Sequence, residues 1–114
     1  MKVYTSSRDE PKGWSVGPWN SAVPIPIGYA NQGINEAHYH AVMHEVYLIV
    51  RGASTALVGG QEVRLAAGDI LVVEPGEVHT FLESSEEYFH FVLQIPFTPG
   101  DKHLPEEPQA GPRA

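Results

Sequence analysis

The chain has no cysteine among its 114 residues. That absence removes disulfide staples, thiolate metal sites and cysteine nucleophiles together, so any metal ion must be held by nitrogen and oxygen ligands. It also fits a reducing compartment, and a cytoplasmic protein is expected. Basic residues are scarce: seven Lys and Arg against fourteen Asp and Glu give a formal net charge of −7. Binding to a phosphate backbone requires clustered Lys and Arg, so no nucleic-acid partner is expected. Long apolar runs are missing too. No stretch reaches the length needed to span a bilayer, and the opening MKVYTSSRDE lacks the apolar core of a signal peptide. No membrane partner is expected. Finally, no segment sustains apolar spacing at the helical period.

Eleven Gly and ten Pro punctuate short runs rich in Val, Ile, Leu, Tyr and Phe, a pattern that reads as all-β. Strands are expected at 22–30, 36–40, 45–51, 53–58, 61–65, 70–74, 78–83 and 87–95, with Gly59-Gly60 as a two-residue hairpin turn. Regularly spaced short strands point to a sandwich or a barrel. At this length, with 42% hydrophobic residues, the chain can build one core, so one domain is expected over 1–114. Within it, 1–20 reads as an irregular arm, 21–95 as the strand-bearing body and 96–114 as a Pro-rich tail. Pro24 and Pro26 restrict the first strand to a sheet edge or an extended arm. Val46, Leu48 and Val50 alternate with Tyr47 and Ile49, making both faces of that strand apolar. Both faces then need cover, from a terminal arm or a second subunit, and a homodimer is expected.

Three of the six histidines crowd into HYHAVMH at 38–44. Residues two apart on extended backbone project the same way, so His38 and His40 form a pincer. The bland alternative is a polar alternation on a solvent face. A turn's length later comes Glu45, sharing parity with Tyr47 and Ile49, and a neighbouring strand can bring His79 opposite. Three imidazoles and a carboxylate suit one divalent transition metal, Fe, Mn, Ni, Zn or Cu, and octahedral geometry leaves two positions open.

The stretch GINEAHYHAVMHEVYLIVRG at 33–52 resembles the first motif of the cupin superfamily: Gly, a short gap, His-X-His, three or four residues, Glu, six residues, Gly. GDILVVEPGEVHTFLE at 68–83 is similar to the second: Gly-Asp, a strand, a Pro-Gly turn, then His. The sequence departs from the pattern at Gly33, one residue nearer the first histidine than usual, at Glu74 in place of a proline, and at Glu83 where Asn is common. The resemblance implies a six-to-eight-stranded jelly-roll (double-stranded β-helix) barrel and transfers the metal ligands to His38, His40, Glu45 and His79. The Glu-X6-Gly match selects Glu45 over its neighbour His44, which is left to a supporting or surface position.

By parity with the ligands, Tyr47 and Phe81 border a cavity. Tyr47 is the candidate catalytic residue, because a phenol beside a metal can move a proton. Phe81 is either cavity wall or plain core. His90 shares parity with Val92 and Gln94 and faces either the pocket or the outer layer; His90 and Gln94 are pocket candidates. His103, Arg51 and Arg64 are expected in solvent. Trp14 and Trp19 would pack the arm on the barrel, cap a pocket mouth or glue a dimer, the first being preferred. The resemblance implies a metal-dependent enzyme acting on a small organic molecule by dioxygenase-, isomerase- or lyase-type chemistry. A non-catalytic small-molecule-binding or sensor cupin is the alternative.

Overall fold

The computed structural model describes residues 1–7 and 9–105. They contain β1 (Lys12–Val16), β2 (Ile27–Ala30), β3 (His44–Arg51), β4 (Ala53–Val58), β5 (Gln61–Ala66), β6 (Ile70–Val73), β7 (His79–Ser84) and β8 (Phe89–Ile95). These strands pair antiparallel in two sheets, ordered β1-β2-β8-β3-β6 and β5-β4-β7. Among the described residues no helix is long and apolar enough to cross a membrane.

The period-2 alternation decides which side chains meet between the sheets. Glu45, Tyr47 and Ile49 of β3 point inward, and the register aligns them with Gln94, Val92 and His90 of β8. Ala56 of β4, Leu65 of β5 and Phe81 of β7 answer from the smaller sheet, and Tyr88 closes the cluster just ahead of β8. The rings of Tyr47 and Phe81 meet edge to face at 5.3 Å, joining the two sheets. Burying each such side chain contributes about 1.5–3 kcal/mol. The outward set is apolar as well. Val46 lies beside Val72 and Leu93, and Leu48 beside Ile70 and Phe91, so a greasy stripe crosses β6, β3 and β8.

The hairpin at Gly59-Gly60 forms as expected, both residues having positive φ (57° and 83°) and β4 pairing Val58 with Gln61 of β5. Three expectations need correction. The segment 1–20, read as irregular, contributes β1, an edge strand whose alternation is too short and glycine-broken to register as a pattern. The strand expected at 22–30 is confined to β2, because Pro24 and Pro26 cannot donate to a ladder. The strand expected at 36–40 is only a pair of isolated bridges, His38 to His79 and Tyr39 to His103. Of the Pro-rich tail, 106–114 lies outside the described residues.

Gly52 links β3 to β4 at φ 78°, and a Cβ there would lie 2.7 Å from the Tyr88 Cα and 2.9 Å from its backbone nitrogen. Left-handed backbone and main-chain crowding act together at this position. Gly52→Ala is therefore expected to cost about 2 kcal/mol or more, read as a lowered urea midpoint with an unchanged denaturant slope.

Candidate metal centre

His38 and His40 stand on the loop before β3, Glu45 near the start of β3, and His79 at the head of β7 in the facing sheet. All four are buried, and their donor atoms lie within 4.8 Å of one another. Backbone pairing brings them together. His38 and His79 exchange both amide hydrogen bonds of their bridge, at 3.1 and 2.9 Å, which sets their rings 4.3 Å apart. Two residues on, His40 returns to the same side, and its carbonyl accepts the Gly76 N–H at 2.7 Å.

Each of these imidazoles turns Nδ1 to a backbone carbonyl: His38 to Glu36 at 2.8 Å, His79 to Glu77 at 3.0 Å and His40 to Asp101 at 2.8 Å. A carbonyl can only accept, so Nδ1 carries the proton in each bond and Nε2 is presented to the centre. Glu45 receives the Tyr47 hydroxyl on Oε1 at 2.7 Å and the Gln94 amide on Oε2 at 2.8 Å. His79 Nε2 also reaches Oε1, at 3.0 Å. His40 Nε2 comes within 3.2 Å of Oε2 but is left as a buried nitrogen with no hydrogen-bond partner among the described residues.

Burial alone would raise the Glu45 carboxyl, but His40, His79, Gln94 and Tyr47 outweigh it and hold the group well below the usual carboxylate range. Burial pushes the Tyr47 hydroxyl well above its ordinary value, and the Glu45 charge adds to that effect. Tyr47 is thus a neutral donor. Burial also lowers His38, helped by the neighbouring imidazoles, whereas at His40 the attraction of Glu45 and Asp101 overcomes burial and raises it.

The donor set fits a metal ion. A buried carboxylate needs positive charge beside it, and the buried His40 Nε2, 3.2 Å from Oε2, makes no hydrogen bond among the described residues. The N3O1 composition suits a divalent transition metal, and the donor atoms already lie within 4.8 Å of one another. These four residues could hold one ion.

Asp101 escaped the sequence reading. Its carboxylate accepts the backbone N–H groups of Ala41, Val42 and Met43, each at 2.9 Å, while its carbonyl fixes the His40 ring. Burial would raise this carboxyl, but those three amides and His103 hold it at about 2. His103 is half-buried rather than solvated: its backbone pairs with Tyr39 at 2.9 Å in both directions and the two rings stack at 5.2 Å. The segment at 98–103 therefore clasps the loop that carries two of the four candidate ligands. No local pattern could reveal this, because the contacts span about sixty residues of sequence.

Above the centre opens a cavity of about 660 Å3, with Glu45 and Gln94 at its depth and Trp14, Trp19 and Phe97 among its lining. That volume lies in the range of small-molecule sites. Phe81 is both cavity wall and core. His90 faces the cavity and not the outer layer; it is 1% exposed, and its Nδ1 is 2.6 Å from the Tyr88 hydroxyl. Burial lowers it to about 4 against the opposing Glu45 charge, so it is neutral at pH 7. His44, Arg51 and Arg64 are exposed, Arg51 lying 5.1 Å over the Phe89 ring.

A family model described as "Cupin domain" matches residues 28–95. No curated protein matches the chain. Among solved structures, the chain is similar to Pac13, a nucleoside dehydratase known from Streptomyces, at 14% identity and TM-score 0.66 over 88% of this chain and 82% of that one. A Cupin 2 conserved barrel domain protein from Salinispora arenicola CNS-205 matches at 13% identity and TM-score 0.65, covering 82% of this chain and 87% of that one. KdgF from Halomonas sp. matches at 17% identity and TM-score 0.61, covering 86% and 89%. The chain has the jelly-roll, double-stranded β-helix barrel of these proteins.

Asp101 lies beyond the matched segment, so its effect on the centre can be separated from the family pattern. Asp101→Ala is expected to weaken Zn(II) or Co(II) affinity about 10- to 100-fold by freeing the three loop amides and loosening the segment whose carbonyl holds the His40 ring. Lys102→Ala, which removes only the exposed pair with Glu36, should change it by less than about threefold. Competition with a chromogenic chelator measures both, and unchanged affinity in Asp101→Ala would contradict the clasp.

Proposed function

Because the chain belongs to the cupin domain family, we propose that it is a metal-dependent enzyme acting on a small organic molecule, with His38, His40, Glu45 and His79 holding one divalent transition metal. The observation that carries this reading is the group of four buried donors at the foot of an open cavity, with a His40 Nε2 that has no hydrogen-bond partner among the described residues. Such an ion supplies Lewis acidity toward a carbonyl or hydroxyl, or activates dioxygen. Around it the chain provides positioning and proton control. Gln94 and Tyr47 fix the two carboxylate oxygens of Glu45, and Tyr47 keeps a proton at the depth of the cavity. His90, neutral and paired with Tyr88, offers a polar contact to a bound molecule without adding charge. Dioxygenase-, isomerase- and lyase-type reactions all suit this arrangement. The dehydratase activity in the name of Pac13 lies within the lyase-type class.

A non-catalytic binding or sensor module is the second reading. The apolar cavity favours it equally, and turnover separates the two.

We also propose that the stripe on the outer face of the larger sheet is covered by a second copy of the chain. Ile70 is 64% exposed and Val72 48%, and they continue a row of half-buried Val46, Leu48, Phe91 and Leu93.

Protein purified without chelators is expected to contain about one divalent ion per chain, and His40→Ala to lose most of it; equal content in both overturns the metal reading. With metal bound, Tyr47→Phe should lose at least about 100-fold in turnover, and retained turnover dismisses its catalytic role. If a substrate screen gives tight binding and no turnover with any metal, the binding module stands instead. Sedimentation at micromolar concentration should give a dimer mass that Ile70→Glu converts to monomer, whereas a monomeric wild type excludes the dimer.

A further inference from the structure

The inner face of the larger sheet carries a continuous row from its β1 edge toward the centre. The register places Trp14 against Gly28, Gly28 against Val92, and Val92 against Tyr47, two residues from Glu45. Gly28 leaves that row open, and the Trp14 indole fills the opening: a Cβ on Gly28 would lie 2.7 and 3.0 Å from its Cε3 and Cζ3. Trp19 uses glycine in the same way. A Cβ on Gly17 would fall 2.3 Å from both Cζ3 and Cη2 and 2.9 Å from Cε3 of the indole, so the benzo ring rests on bare backbone. The ring of Phe97 meets Trp19 edge on, with centroids 6.2 Å apart and planes inclined at 67°. Three aromatic side chains from β1, from the turn after it and from the segment after β8 thus border one cavity.

Packing on backbone accounts for only part of these two indoles. Trp14 is 47% exposed and Trp19 50%, whereas aromatics used as glue bury most of their area. Of the charged side chains near the mouth, Lys102 pairs with Glu36 at 2.6 Å, the Asp101 carboxylate is taken up by backbone amides, and Lys12 stands exposed at the rim. The aromatic surface remains available for recognition.

We propose that the cavity takes a substrate with a flat aromatic or heteroaromatic ring, held at the mouth by Trp14, Trp19 and Phe97, with an oxygen-bearing end directed toward Glu45 and Gln94. This deepens the small-molecule reading of the same site and rests on it. Flat rings are favoured over aliphatic bodies of equal size because aromatic pairs add roughly 2- to 10-fold each in affinity beyond the area they bury.

The test compares 2-naphthol with decahydro-2-naphthol, which keeps the carbon skeleton and hydroxyl and lacks the flat π face. Calorimetric titrations are run on metal-free and metal-loaded protein, with metal content measured on the same samples. Wild type should bind 2-naphthol about tenfold more tightly in both states. Trp14→Leu and Trp19→Leu together should cut the preference to about twofold or less, and Trp19→Phe should retain most of it. Should Trp14→Leu disturb the β1 edge, Trp19→Leu and Phe97→Leu decide alone. Equal binding of the two probes by wild type, binding of neither, or a preference that survives the leucine variants overturns the proposal. A ring preference in protein that takes up no metal would leave it standing and sink the metal reading. Metal uptake without ring preference would do the reverse.

Discussion

The carboxylate of Glu45 is an anion enclosed between two sheets, and the arrangement around it follows from keeping it compensated. An unpaired charge in that position would be too costly to bury. Its contacts come from every side: Tyr47 on its own strand, Gln94 on β8, His79 on β7 of the facing sheet, and His40 on the loop before β3. The remaining need is for positive charge, and the three imidazoles around it could share it with an ion. Because every Nδ1 is engaged by a backbone carbonyl, the rings are oriented by the fold before any ion arrives.

Two of those carbonyls are local, two residues before the histidine they hold, and the third is not. His40 depends on Asp101, sixty-one residues away. The tail is thereby a working part of the centre, since the same residue caps three consecutive amides of the ligand loop and aims its last imidazole. At the other end of the chain, β1 extends the larger sheet and carries Trp14 to the cavity. Barrel, arm and tail each contribute one layer of a single site, from the polar floor to the aromatic mouth.

Much of this was legible in the residues. Glu45, Tyr47 and Ile49 share a face because strand parity requires it, and Gln94 and His90 follow by the same rule on β8. The Gly68-Asp69 and Pro75-Gly76 turns mark the ends of β6, and Gly68 and Gly76 both take positive φ. His38 and His40 project to the same side for a reason slightly different from the one read. Extended backbone with single bridges, without a full strand, is enough to point alternate residues the same way. The edge strand β1 and the Asp101 clasp were not legible. An edge strand with one covered face has a weak alternation, and a cap on three backbone amides depends on where a distant segment docks, which no local period encodes.

X-ray absorption at the metal edge of the loaded protein tests the central claim most directly. The account predicts one kind of site, with three imidazole nitrogens and one carboxylate oxygen at about 2.0–2.2 Å and only light oxygen donors in the remaining positions. An ion coordinated by fewer than three imidazoles, or an imidazole signal unaffected by removing His40, would contradict it.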